Sequence, residues 1–240
     1  MSDRLKFDHV VFFGRNFDEY LQLFALDAKD LEGRRVLDCP SGPCSFVADS
    51  HERGIDATGV DPMYGKSVEE LSKEGARDIE NGLEQLRAAP TTHPISDFEG
   101  YAQRKRDALK GFLADYSAHR PRYIEGRLPN LPFANRSFDL VLSAHLLFAY
   151  SPIDEDGMLD SRVFDRTWHH EAVRELARVA GREIRLYPTV ANVPEPRRHR
   201  YAEGVAADLC ANGFQIAFVP SRYDQFASKY NDCLVATRLV

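Results

Sequence analysis

The sequence is poor in cysteine, with four in 240 residues at Cys39, Cys44, Cys210 and Cys233. No two stand as a Cys-x-x-Cys pair, so a structural zinc site is not expected, and no disulfide framework is legible. No apolar run reaches membrane-spanning length, and the opening MSDRLKFDHV lacks a segment of signal-peptide type. A reducing cytoplasm is the expected setting, with no membrane partner. Internal repeats, low-complexity stretches and an interdomain linker are all missing. Basic charge is not in excess: 31 Lys and Arg against 37 Asp and Glu leave a net charge of −6. Such a chain has no global attraction for a phosphate backbone, so no nucleic-acid partner is expected. The basic clusters Arg104-Lys105-Arg106 and Arg197-Arg198-His199-Arg200 read as a solvated helix face and an exposed helix start. What is present is 43% hydrophobic and 28% charged residues, which suits one soluble domain over residues 1–240.

Periodicity gives the elements. Phe17, Tyr20, Leu21 and Phe24 have helical spacing, so residues 1–34 read as a helical N-terminal segment ended by Gly33. Arg35 to Cys39 reads as a strand, Ser45 to Glu52 as a helix closed by Gly54, and Asp56 to Asp61 as a second strand. This is a minimal βαβ unit. Residues 66–121 exceed one crossover. Ser67 to Ala88 is helical, Pro90 to Pro94 breaks the chain, and Ile95 to Tyr116 is helical again before Pro121. One helix is therefore an insertion, serving either in packing, including between two copies in a homodimer, or as a lid. Arg122 to Gly126 is a third strand and Phe138 to Ala144 a fourth, apolar enough to be buried on both faces. A helix from about Asp160, capped by Gly181, precedes a strand from Glu183 to Tyr187. A helix from Arg198 to Ala211 precedes strands Phe214–Val219 and Cys233–Val240. Their short connection, Pro220 to Asp232, makes them antiparallel. The sum is an α/β fold, a seven-stranded mostly parallel sheet with a C-terminal antiparallel hairpin.

The chemistry concentrates in Val36-Leu37-Asp38-Cys39-Pro40-Ser41-Gly42-Pro43-Cys44 and in Asp61. In an open α/β sheet, ligands bind beyond the carboxyl ends of the strands where strand order reverses. Gly42 lets backbone approach a ligand, and an acid ending the second strand can accept both ribose hydroxyls of an adenosine. The loop is not G-x-G-x-x-G. Its prolines offer no N–H to a pyrophosphate, which disfavours a nicotinamide cofactor. An adenosine ligand with an amino-acid tail fits better.

VLDCPSGPC resembles motif I of the class I S-adenosylmethionine (SAM)-dependent methyltransferases, with Asp38 on the motif's acid and Gly42 on its middle glycine. Pro40 and Cys44 replace the outer glycines. Leu128-Pro129-Asn130-Leu131-Pro132-Phe133 followed by Ser137-Phe138-Asp139-Leu140-Val141 is similar to a second family segment, with Arg127 where an acid is common. Ser143-Ala144-His145 resembles the segment after the fourth strand. The similarities cover about residues 35–64 and 126–240. They imply a Rossmann-like class I methyltransferase fold with a helical insertion between strands 2 and 3. They imply SAM as cofactor and a small-molecule methyl acceptor. Asp38 would lie near the methionine amino group, with Pro40, Ser41 and Gly42 along the tail. Asp61 would hold the ribose, Pro62 and Met63 the adenine face, and Leu128 would offer its backbone N–H to the ring. Ser143 and Ala144 complete the cofactor wall.

Methyl transfer from a sulfonium is an in-line displacement that asks mainly for alignment and exclusion of water. A base serves only a nucleophile that must shed a proton. His145 is the candidate base, against a structural histidine, and Tyr150 the candidate substrate-orienting hydroxyl. Arg15 could pair a cofactor carboxylate, against the reading of a surface arginine, and Arg15 and Tyr20 are both candidates to face the substrate. Tyr101 and Lys105 match the spacing of a dehydrogenase pair by chance. His169-His170-Glu171 has no metalloprotease continuation and reads as helix surface; no metal is expected. Two rivals stay open, an aminopropyl transferase and a non-catalytic adenosine-binding module on the same fold.

Overall fold

A computed structural model describes residues 4–88, 95–193, 197–223 and 230–239. The strands are β1 (Arg35–Asp38), β2 (Asp56–Asp61), β3 (Tyr123–Glu125), β4 (Phe138–Ala144), β5 (Ala180–Tyr187), β6 (Phe214–Pro220) and β7 (Asp232–Arg238). They form one seven-stranded sheet in the order β3-β2-β1-β4-β5-β7-β6. β1 to β5 are parallel, with Val36 opposite Ala57 of β2 on one side and Leu140 of β4 on the other. β7 runs antiparallel between β5 and β6. Strand order reverses at β1 and β4, which fixes where a ligand site can open. Leu140, Val141 and Leu142 of β4 are wholly buried, as a central parallel strand covered on both faces requires. This is a Rossmann-like α/β fold, a mostly parallel seven-stranded sheet with a C-terminal antiparallel hairpin.

The helices are α1 (Phe17–Leu23), α2 (Phe46–Glu52), α3 (Val68–Ala88), α4 (Phe98–Ala118), α5 (Leu146–Ala149), α6 (Arg166–Val179) and α7 (Ala202–Ala211). α3 and α4 both lie between β2 and β3, so the crossover carries one helix beyond the usual. The expected break at Pro90 to Pro94 lies outside the described residues, as do Val240 and most of the β6–β7 connection. α1 starts at a capping box, in which Asn16 accepts from the Glu19 N–H at 2.9 Å and Glu19 accepts from the Asn16 N–H at 3.1 Å. Among the described residues no helix is long and apolar enough to cross a membrane.

Several expectations need correction. α6 begins at Arg166, not near Asp160. The Asp160 N–H donates to Phe7 at 2.7 Å, and the Asp165 side chain caps the helix through the Trp168 N–H at 3.0 Å. Gly181 is no cap but lies within β5, which follows α6 directly. α7 begins at Ala202, because Arg198 is in an isolated bridge with Val190 and pairs with Asp232 at 2.8 Å. The second basic cluster is not an exposed helix start: Arg197 and Arg200 both bind the buried carboxylate of Asp156. Lys105 is not on a solvated face, being fully buried. His169 is also buried, bonded to the carbonyls of Asp165 and Leu147.

Candidate functional site

A cavity of about 590 Å³ lies beyond the carboxyl ends of β1, β2 and β4, at the reversal of strand order. The loop after β1 reaches it through Gly42, whose φ of +54° is a left-handed conformation that glycine adopts without strain. The Gly42 N–H donates to Asp61 Oδ2 at 3.0 Å, and the Met63 N–H donates to Asp61 Oδ1 at 2.8 Å. Tyr64 Oη donates to the Gly42 carbonyl at 2.6 Å. Asp61 is thereby held rigid on the cavity wall. Burial pushes its carboxyl up to about 6, against the two N–H bonds. Pro62, Met63 and Leu128 flank it with apolar surface, and Pro40 and Ser41 continue the wall. The Ser41 side chain turns toward β2: a Cβ on Gly59 would stand 2.8 Å from Ser41 Oγ. A side chain at position 59 would displace the loop.

Two expected wall residues stand behind the wall. Asp38 is wholly buried, its oxygens accepting from Tyr20 Oη at 3.0 and 2.9 Å, and Tyr20 covers it on the cavity side. The same hydroxyl lies 3.2 Å from Cys44 Sγ. Burial raises the Asp38 carboxyl to about 7, with Ser41 and Tyr20 pulling it down and Asp61 adding to the rise. Ser143 is likewise buried off the wall, while its neighbour Ala144 lines the cavity. Arg15, Tyr20, His145 and Tyr150 all reach the wall, so Arg15 and Tyr20 are not surface residues.

Arg15 donates to His145 Nε2 at 2.9 Å. His145 has φ +66°, unusual for a residue with a side chain, and heads the short α5 directly beyond β4. The chain leading to Arg15 forms a strap across the cavity. The Phe7 N–H donates to Met158 at 2.8 Å, the Phe12 N–H to Asp78 Oδ2 at 2.8 Å, and the Val11 N–H to Tyr150 Oη at 3.3 Å. At Gly14 the strap passes so close to the loop after β1 that a Cβ would stand 2.1 Å from the Pro43 carbonyl oxygen. Sequence reasoning missed this strap. The signal was Val10-Val11-Phe12-Phe13, an apolar run ahead of the helical spacing that begins at Phe17.

The inserted helices also reach the site. Gly82 and Leu86 of α3 and Tyr101 of α4 line the cavity. Lys105, one turn on, pairs with Glu19 at 2.5 Å and lies 4.6 Å from the centre of the Tyr101 ring. Tyr223 donates to the same Glu19 oxygen at 2.8 Å. Lys105 and Arg15 hold Glu19 ionised against its burial, while burial and Arg15 push Lys105 down to about 7. Tyr101 and Lys105 are thus brought to the site, as parts of a buried network. Among the described residues no group of three His, Cys, Asp or Glu side chains is placed to hold a metal ion.

No family model matches the chain. An uncharacterised protein of Methanocaldococcus jannaschii is 28% identical over 188 residues, 77% of this chain and 80% of that one. Among solved structures, magnesium protoporphyrin IX methyltransferase from Synechocystis PCC 6803, with bound SAM, has a TM-score of 0.47 at 17% identity over 92% of this chain and 77% of that one. A SAM-dependent methyltransferase from Methanosarcina mazei has a TM-score of 0.44 at 14% identity, over 87% and 94% of the two chains.

Proposed function

We propose that this chain is a cytoplasmic enzyme that binds SAM and moves its methyl group to a small-molecule acceptor by in-line displacement. One observation carries the reading: a rigid, buried Asp61 carboxylate at one end of an apolar cavity that continues to Ala144 and His145. The donor set suits the cofactor. Asp61 can accept from ribose hydroxyls, Met63 and Leu128 offer apolar faces to adenine, and the loop from Pro40 to Gly42 brings backbone to the amino-acid tail. Asp38 acts at one remove, by fixing Tyr20 against that loop. When bound, the cofactor supplies a methyl group already activated on a sulfonium.

The chain's own task is to align the acceptor and keep water out. In this reading the strap from Phe7 to Arg15, whose side chains line the cavity, limits the access of water to it. His145 holds Arg15 in place through its Nε2 lone pair, which is the lone pair a base would use. His145 is therefore a positioning residue in this reading. Calorimetric titration with SAM, S-adenosylhomocysteine and NAD tests the reading. The first two bind and NAD does not; NAD alone binding, or no binding by either adenosine ligand, defeats it.

A further inference from the structure

We propose that the methyl acceptor is a carboxylic acid on an apolar body, its carboxylate seated between Arg15 and the hydroxyl of Tyr101. The inference rests on the methyl-transfer reading and names the substrate class of the same cavity. Tyr101 is 3% exposed and lines the cavity, yet its hydroxyl is buried with no hydrogen-bond partner among the described residues. A hydroxyl left so is costly unless something that enters the cavity accepts from it. Arg15 lies on the same wall and within electrostatic reach of Tyr101. A guanidinium can only donate, and it adds a permanent positive charge. Together the two side chains offer donors to an anionic oxygen group. Lys105 lies against the Tyr101 ring, and its charge is balanced by Glu19, which Lys105 and Tyr223 engage, so the charge for a ligand's anionic group comes from Arg15.

The surrounding groups also select against an acceptor that must lose a proton. The Nε2 lone pair of His145 is taken by Arg15, and burial holds the Tyr150 hydroxyl well above the usual tyrosine range. A carboxylate arrives ionised and needs no base. In the transfer a carboxylate oxygen bonds to the methyl carbon as the carbon–sulfur bond breaks. The bonding pair stays on sulfur, so anion and sulfonium give a neutral ester and a neutral thioether with no proton moved. Much of the remaining wall is apolar, including Phe7, Val10, Leu86, Met158, Phe164 and Trp168, and suits a hydrocarbon or aromatic body.

The test is binding to the full chain saturated with S-adenosylhomocysteine, measured by calorimetry. The probes are benzoate, phenylacetate, 3-phenylpropionate and octanoate, each against its neutral amide. At least one acid binds about tenfold or more tighter than its amide, as loss of a charged hydrogen bond requires. Tyr101→Phe weakens that acid about tenfold, leaves S-adenosylhomocysteine affinity unchanged, and raises the melting temperature of the ligand-free chain by removing an unpartnered buried hydroxyl. Arg15→Gln abolishes the preference for acid over amide, and Arg15→Lys restores part of it. The proposal is overturned if amides bind as well as acids, or if no acid binds while S-adenosylhomocysteine does. It is equally overturned if Arg15→Gln collapses S-adenosylhomocysteine affinity with acid binding intact, since Arg15 then serves the cofactor's carboxylate. Failure of S-adenosylhomocysteine itself to bind defeats the methyl-transfer reading instead.

Discussion

Arg15 and His145 stand 130 positions apart and share a 2.9 Å hydrogen bond, with the imidazole accepting. A histidine that accepts at Nε2 carries its proton on Nδ1, so the lone pair a base would use is already engaged. His145→Ala should therefore lower turnover by less than about tenfold, because loss of a true general base costs about 10²- to 10⁴-fold. A pH–rate profile separates the roles. The same profile in variant and parent supports positioning; a drop of about a thousandfold together with a lost acidic limb would make His145 the base after all.

Asp61 binds two backbone N–H groups with two different oxygens. Asp61→Asn keeps the shape but turns an N–H₂ toward one of those donors. SAM affinity should fall by about ten- to a hundredfold through the lost acceptor and the disturbed loop. Calorimetry reads this directly, and an unchanged Kd would remove Asp61 from the ribose contact.

The sheet was legible because parallel strands buried on both faces are continuous apolar runs, and Phe138 to Ala144 is such a run. Asp61 and Gly42 were legible because strand end and loop position are set by local sequence. Asp38 was expected near the cofactor's tail, and nothing local shows that Tyr20, from another element, bonds to it inside the core. Lys105 and His169 were read as surface for the same reason: their burial depends on Glu19 and on the carbonyl of Leu147, partners supplied by the tertiary fold. Helix starts at Arg166 and Ala202 shifted because Asp160 and Arg198 spend their groups on distant partners.

Gly14 is where the strap meets the loop after β1. A methyl group there would stand 2.1 Å from the Pro43 carbonyl oxygen, and both neighbours are backbone. Relief requires the strap to lift. Gly14→Ala should cost about 1–3 kcal/mol, the usual range for overpacking, and should weaken cofactor binding as well. Thermal melts with and without S-adenosylhomocysteine check both effects. An unchanged melting temperature would show that the strap is loosely held.

Glu19 and Lys105 form a pair with side-chain exposures of 5% and 0%. Among the described residues, breaking it takes from buried Glu19 its one ion-pair contact, leaving Arg15 at longer range and the Tyr223 hydroxyl. Lys105→Met alone should destabilise by about 3–5 kcal/mol, whereas Glu19→Gln with Lys105→Met should recover most of that loss. Denaturant melts of the four chains give the coupling. Additive single effects would mean that the charges are compensated elsewhere.

Asp156 gathers Arg197 and Arg200 from the segment before α7 and also accepts the Arg200 N–H. Burial works to raise its carboxyl, but the two arginines win and hold it at about 2, below the usual aspartate value of 3.8. A carboxyl with a lowered folded pKa binds protons more readily when unfolded. Its contribution to stability is therefore complete above about 3.8 and disappears as the pH falls through about 2. Because φ at this residue is +79°, asparagine is the replacement that tolerates the backbone. The arginines are half exposed and solvent screens them, so Asp156→Asn should cost only about 1–2 kcal/mol near neutral pH. Denaturant melts of parent and variant should converge as the pH is lowered from 4 toward 2. A gap that stays constant across that window would mean that the arginines hold this corner by packing and not by charge.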